Sequence, residues 1–137
     1  MNVDRIERDT LIAASLERVW SLVSEPGFWI TVEKDLARIP ADEGTDFPVV
    51  VAKSEPPTYV AYRWASQYHG EDVRDDNSTL VEFTLSREGD KTRLRVVESG
   101  FAALSIPPDK HRRAVEGNTE GWTRVLGALR TQFESTA

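Results

Sequence analysis

The apolar positions change their spacing several times along this chain. In "RIERDTLIAA", Ile6 and Ile12 lie an even number of residues apart and share one face, which predicts a first strand. Leu16, Val19, Trp20 and Val23 then recur at three and four, the stripe of a short helix. Ser15, just ahead of them, is placed to cap that helix by accepting an orphan backbone N–H. Pro26 and Gly27 stop the helix or bend it into a short turn that carries Phe28 and Trp29.

Residues 31 to 48, "TVEKDLARIPADEGTDFP", have weak periodicity and several turn formers, and predict one poor strand plus a loop. From Val49 a period of two takes over. "VVVAKSE" is a strand, and Pro56 and Pro57 make a turn. "TYVAYRWASQY" alternates Val60, Tyr62, Trp64, Ser66 and Tyr68 against its other face. After the polar loop "HGEDVRDDN", two more strands follow. One sets Val81, Phe83 and Leu85 on one face; the other, beyond the turn at Gly89 and Asp90, sets Leu94, Val96 and Glu98 together. "FAALSIPPD" is a loop with some apolar content. A long helix is predicted from about Lys110 to Glu134, because Trp122, Val125, Leu129 and Phe133, with Leu126 beside them, recur at the helical period.

Strand, short helices, antiparallel strands on tight turns, long helix: this order predicts an α+β fold in a single domain over residues 1–137, a sheet with one face covered by helix. Strand parity and the helical stripe turn Trp64, Phe83, Leu94, Val96, Trp122, Leu126 and Leu129 toward one another. They line either a filled core or an apolar space for a ligand. Sequence parity does not separate the two.

Four motifs in order carry a family resemblance: "AASLERVW" at 13–20, "EPPTYVAYRW" at 55–64, "VESGF" at 97–101, and Glu120-Gly121-Trp122 followed by Leu126 and Leu129. Nearly the whole chain is similar to the SRPBCC or START-like superfamily. Within it, the chain resembles the branch named after the C-terminal domain of the activator of the heat-shock-protein-90 ATPase, which includes many bacterial proteins. The resemblance implies a helix-grip fold, a curved antiparallel sheet around a long C-terminal helix, with a hydrophobic cavity between them. It implies binding of a hydrophobic small molecule. The same relatives bring two other readings: a protein-interaction module that meets a chaperone, and an enzyme akin to polyketide cyclases or dehydratases. One departure stands out: such domains carry two full strands before the Pro-Pro turn, where residues 31 to 48 here are short and irregular.

Composition narrows the chemistry. With 17 Lys and Arg against 23 Asp and Glu, the net charge is −6 and no basic block exists, so nucleic acid is not an expected partner. Cysteine is absent, which removes thiolate metal sites and a thiol nucleophile. His69 and His111 form no metal-binding motif. The charged start "MNVDRIERDT" and the lack of any apolar run near a membrane span's roughly 20 residues give the expectation of a cytoplasmic protein that meets no membrane. No cofactor, metal or catalytic set is expected, since no nucleophile–base order or phosphate-cradling loop is present.

The expected ligand lining is Tyr62, Trp64, Phe83, Val96, Glu98, Trp122 and Leu126. Glu98 is the informative member, because its parity with Leu94 and Val96 turns a carboxylate inward. A buried carboxylate needs partners or a proton. Trp122 N–H, Tyr62 O–H or a ligand group would serve at the mouth of a cavity; a strand end that reaches solvent is the plainer account. Tyr68 and Asn118 are further candidates for polar contacts. His69, and His111 within "DKHRR", read as surface residues.

Overall fold

The computed structural model describes residues 5–35, 49–64, 73, 77–101, 104 and 106–135. Its elements run β1 (Arg5–Ile12), α1 (Leu16–Val23), α2 (Phe28–Asp35), β2 (Val49–Glu55), β3 (Tyr59–Trp64), β4 (Thr79–Glu88), β5 (Lys91–Ser99) and α3 (Pro108–Ser135). The five strands form one antiparallel sheet in the order β1-β5-β4-β3-β2. The α+β helix-grip expectation holds, with α3 laid along the sheet and the short helices near its start.

Ser15 caps α1 as its residue type dictates. It sits in extended conformation, and its Oγ accepts from the Arg18 N–H at 3.3 Å. Thr92 of β5 donates to the Ala14 carbonyl at 2.8 Å, which pins the start of α1 to the sheet. Gly27 has φ +78, a left-handed backbone that glycine takes without strain, and it turns the chain from α1 into α2.

The expectation for the next segment is corrected. Phe28 to Asp35 is helix, so residues 31–35 are neither strand nor loop, and Phe28 and Trp29 lie on its first turn. Phe28 and Val32, four apart, are both buried, and that spacing holds the helix against the core although β-branched Thr31 and Val32 have low helix propensity. The rest of the expected poor strand and loop, 36–48, lies outside the described residues, as do residues 65–68 of the expected β3 extension.

β4 and β5 show why parity was informative. Val81, Phe83 and Leu85 on one strand and Leu94, Val96 and Glu98 on the other are buried, and the register pairs Val81 with Glu98, Phe83 with Val96 and Leu85 with Leu94. α3 buries Trp122, Val125, Leu126, Leu129 and Phe133 against this face. It begins two residues earlier than the apolar stripe required, at Pro108, where a proline's missing N–H has no intrahelical partner to lose.

Candidate functional site

Glu98 lies at the meeting point of four elements. β3 and β4 pair Trp64 with Thr79, and the neighbouring inward row is Tyr62, Val81 and Glu98, so these side chains share one corner of one face. From above, α3 presents Asn118 and Trp122, one turn apart. The carboxylate is fully buried. Its Oε1 accepts from Trp122 Nε1 at 2.7 Å and Asn118 Nδ2 at 3.1 Å. Its Oε2 accepts from Thr79 Oγ1 at 2.5 Å, Trp64 Nε1 at 3.0 Å and Asn118 Nδ2 at 3.0 Å.

The two indoles can only donate and Asn118 donates through its amide N–H, while the Thr79 hydroxyl, which donates here, could instead accept a hydrogen bond. The cage is therefore built for the carboxylate anion. Burial acts the other way and raises the Glu98 pKa above the ordinary carboxylate value, with the bonds from Thr79, Trp122, Trp64 and Asn118 each pulling it back.

Beside the carboxylate lies a layer of rings. The Trp29 ring centroid is 5.3 Å from Trp64, 5.4 Å from Tyr62 and Phe28, and 5.6 Å from Phe83 and Trp122. Trp64 and Trp122 are 6.4 Å apart and both reach Glu98, so the ring layer and the carboxylate are one unit. Trp29 is buried, and its Nε1–H has no acceptor among the described residues. Tyr62 turns its hydroxyl away from this unit and donates to the Val23 carbonyl at 2.7 Å, satisfying a free C=O at the end of α1. Burial, then the charge of Glu25, pushes the Tyr62 phenol up to about 12.

The structure thus brings Trp64, Phe83, Glu98 and Trp122 together as expected, sets Val96 beside Phe83, and buries Leu126 one turn along α3 from Trp122. Two details change. Glu98 is neither at an open mouth nor at a solvent-facing strand end, because four side chains from β3, β4 and α3 enclose it. Tyr62 is not its partner, since a backbone carbonyl claims that hydroxyl. Tyr62, Phe83, Val96 and Glu98 have no accessible surface, so the space that they border is filled by side chains, Trp29's among them. Asn118, a candidate polar contact, does belong to the site. His111 is half-buried rather than a plain surface residue, its Nε2 2.9 Å from the Leu104 carbonyl. His69 and Tyr68 lie outside the described residues.

Sequence reasoning missed Thr79 and Trp29. Thr79 shares parity with Val81 and Phe83, a signal that was present. Trp29 carried none, because its element was read as a turn. Among the described residues no three His, Asp or Glu side chains cluster closely enough to hold a metal ion, and no helix is long and apolar enough to cross a membrane.

An antiparallel sheet with a long C-terminal helix laid on its inner face is the helix-grip architecture of SRPBCC or START-like domains. Residues 13–134 match the family model "Activator of Hsp90 ATPase homolog 1-like protein", and the chain belongs to that family. Among solved structures it is similar to protein MLL2253 from Mesorhizobium loti, with 25% identity, a TM-score of 0.69 and coverage of 97% of this chain and 98% of that one. It shares the fold of DynU16, a protein of the dynemicin biosynthetic locus, at 19% identity and TM-score 0.62; 97% of this chain is covered, and it spans about half, 48%, of that one. The Aha1 dimer from Colwellia psychrerythraea has the same fold at 15% identity and TM-score 0.59, with 95% and 96% covered. No curated protein matches the chain.

Proposed function

We propose that this domain binds a small hydrophobic molecule between the sheet and α3, in the aromatic layer that Tyr62, Trp64, Phe83, Val96, Trp122 and Leu126 border and Glu98 closes at one end. The observation that carries the reading is the buried polar chemistry inside an otherwise apolar layer. Stability alone favours apolar residues in place of Glu98 and its partners together, since a buried carboxylate must recover its hydration from protein groups. Here two tryptophans, a threonine and an asparagine are committed to that one side chain. Ligand sites have this composition: apolar walls with a few fixed polar groups. Membership of the family supports the same reading. Glu98 in this role sets the position of the two indoles that wall the site, and the domain carries the molecule without transforming it.

Native mass spectrometry of the protein purified from its own cells tests this. A defined adduct, lost on denaturation and competing with an apolar fluorescent probe, is the expected result. The bare mass together with no probe binding refutes it. Co-purification of a chaperone without an adduct would favour the protein-interaction role instead.

A further inference from the structure

Trp29 holds the centre of the aromatic layer, yet it is the one member whose polar atom is left over. Trp64 and Trp122 donate to Glu98, and Tyr62 donates to Val23. Trp29 Nε1–H is buried beyond the reach of water and has no acceptor among the described residues. Buried donors are almost always paired, and leaving one unpaired is unfavourable. The indole fits its slot in shape and fails it in chemistry. Its neighbours Tyr62, Trp64, Phe83 and Trp122 stand on the paired strands β3 and β4 and on the 28-residue α3, whereas Trp29 stands on the first turn of an eight-residue helix just beyond Gly27.

We propose that Trp29 is an internal plug. It occupies the ligand position in the empty protein and leaves it when a flat aromatic molecule of two fused rings, carrying no hydrogen-bond donor at the buried edge, takes its place. This rests on the small-molecule reading above and names the ligand class. The slot is the size of an indole because an indole fills it. It disfavours a donor because nothing there accepts one. When Trp29 swings out its N–H regains water, which offsets part of the work of opening.

The test uses benzothiophene and indole, two fused-ring probes of the same shape that differ in the N–H. Binding to the wild type and to Trp29→Ala is followed by calorimetry and by the indole N–H signals in NMR. The chain has four tryptophans, and the signal missing in Trp29→Phe is that of Trp29. In the free wild type it lies upfield of the Trp64 and Trp122 signals, whose protons are held by a carboxylate. Benzothiophene moves it to the position of a hydrated indole. Trp29→Ala binds benzothiophene roughly 10–100-fold tighter than the wild type, the factor for a site open in about 1–10% of molecules. It prefers benzothiophene to indole by roughly fivefold or more, the factor for an unpaired buried donor. If Trp29→Ala does not fold, Trp29→Phe gives the comparison with its smaller ring and the same direction of change. Equal affinity in variant and wild type, or a Trp29 signal that stays in place while benzothiophene binds, overturns the plug and leaves the small-molecule function intact. Failure of every folded form to bind benzothiophene or an apolar fluorescent probe overturns both.

Discussion

Trp122 Nε1 donates to Glu98 Oε1 across 2.7 Å, so the first large residue of the α3 stripe is fastened to the inner face of β5 by a polar bond inside the core. Asn118, one turn earlier, adds two more, and Trp64 and Thr79 bring β3 and β4 to the same carboxylate. A single side chain thereby fixes the helix relative to three strands. Glu98→Gln keeps the shape but replaces one accepting oxygen with an NH2 that faces other donors. At least one indole or hydroxyl then loses its acceptor, and the expected loss is about 1–3 kcal/mol in urea unfolding. Glu98→Leu strands all four partners and is expected to lose more than Glu98→Gln. A Gln variant as stable as the wild type would show that the cage contributes nothing.

The same carboxylate gives stability a pH slope of determined sign. In the unfolded chain Glu98 ionises near the ordinary carboxylate value of 4.5, while burial raises it in the folded protein. Between those two points the folded state holds a proton that the unfolded state has released, so stability falls as pH climbs through that window. Glu17, lowered by a backbone bond at the start of α1 and by Arg87, and Glu88, lowered by its bond to Arg93, act in the opposite sense. Their contributions are present above 4.5 and fade as pH drops through their folded values. Stability is expected to peak near the ordinary carboxylate pKa and decline on both sides, with the upper decline abolished in Glu98→Gln. Thermal melts from pH 3 to 8 measure both limbs.

Strand parity made the inner face legible, Glu98 included, because a period of two leaves no choice once one face is buried. Trp122 N–H was one of the donors expected at Glu98, and it is one; the other partners, Trp64, Thr79 and Asn118, were not legible in the same way. Trp64 and Thr79 meet it through a strand register, and Asn118 and Trp122 through the rotation of α3, and neither is a local property of sequence. Parity did hold Thr79 in the same row as Val81 and Phe83. Tyr62 O–H was one of three alternatives for meeting Glu98; its actual partner is a main-chain carbonyl at the end of α1, invisible in a side-chain pattern. α2 was illegible for a different reason. Phe28, Trp29, Ile30 and Val32 bury several sides of one short helix, so the sequence carries no clean stripe.

Leu129 has no accessible surface and lies on the stripe two turns beyond Trp122. Leu129→Ala removes its buried methyl groups and leaves a cavity that the long α3 and the sheet cannot both close around. The expected loss is roughly 2–5 kcal/mol, read from the shift of the urea midpoint at an unchanged slope. A loss below about 1 kcal/mol would place α3 loosely on the sheet, contrary to the packing described here.

Tyr62 joins β3 to the end of α1, and its phenol makes a second pH limb at the alkaline end. Its folded pKa is pushed up to about 12 by burial and by Glu25, and that of Tyr59 to about 12 by partial burial and its 2.6 Å bond to Glu82. In the unfolded chain both phenols ionise at the ordinary value of 10.0, so above that pH the unfolded state sheds protons that the folded state keeps. Stability is therefore expected to fall as pH rises past 10, and the tyrosinate absorbance of these two phenols should appear together with unfolding rather than before it. Tyr62→Phe keeps the ring in the aromatic layer and removes the donor to the Val23 carbonyl. At neutral pH it is expected to lower stability by about 1–2 kcal/mol, the effect of one unpaired buried acceptor. It also weakens the alkaline limb, because Tyr59 alone then remains of the pair. A Phe variant with full stability at pH 7 and an unchanged alkaline midpoint would show that the Tyr62–Val23 bond does not hold α1 to the sheet.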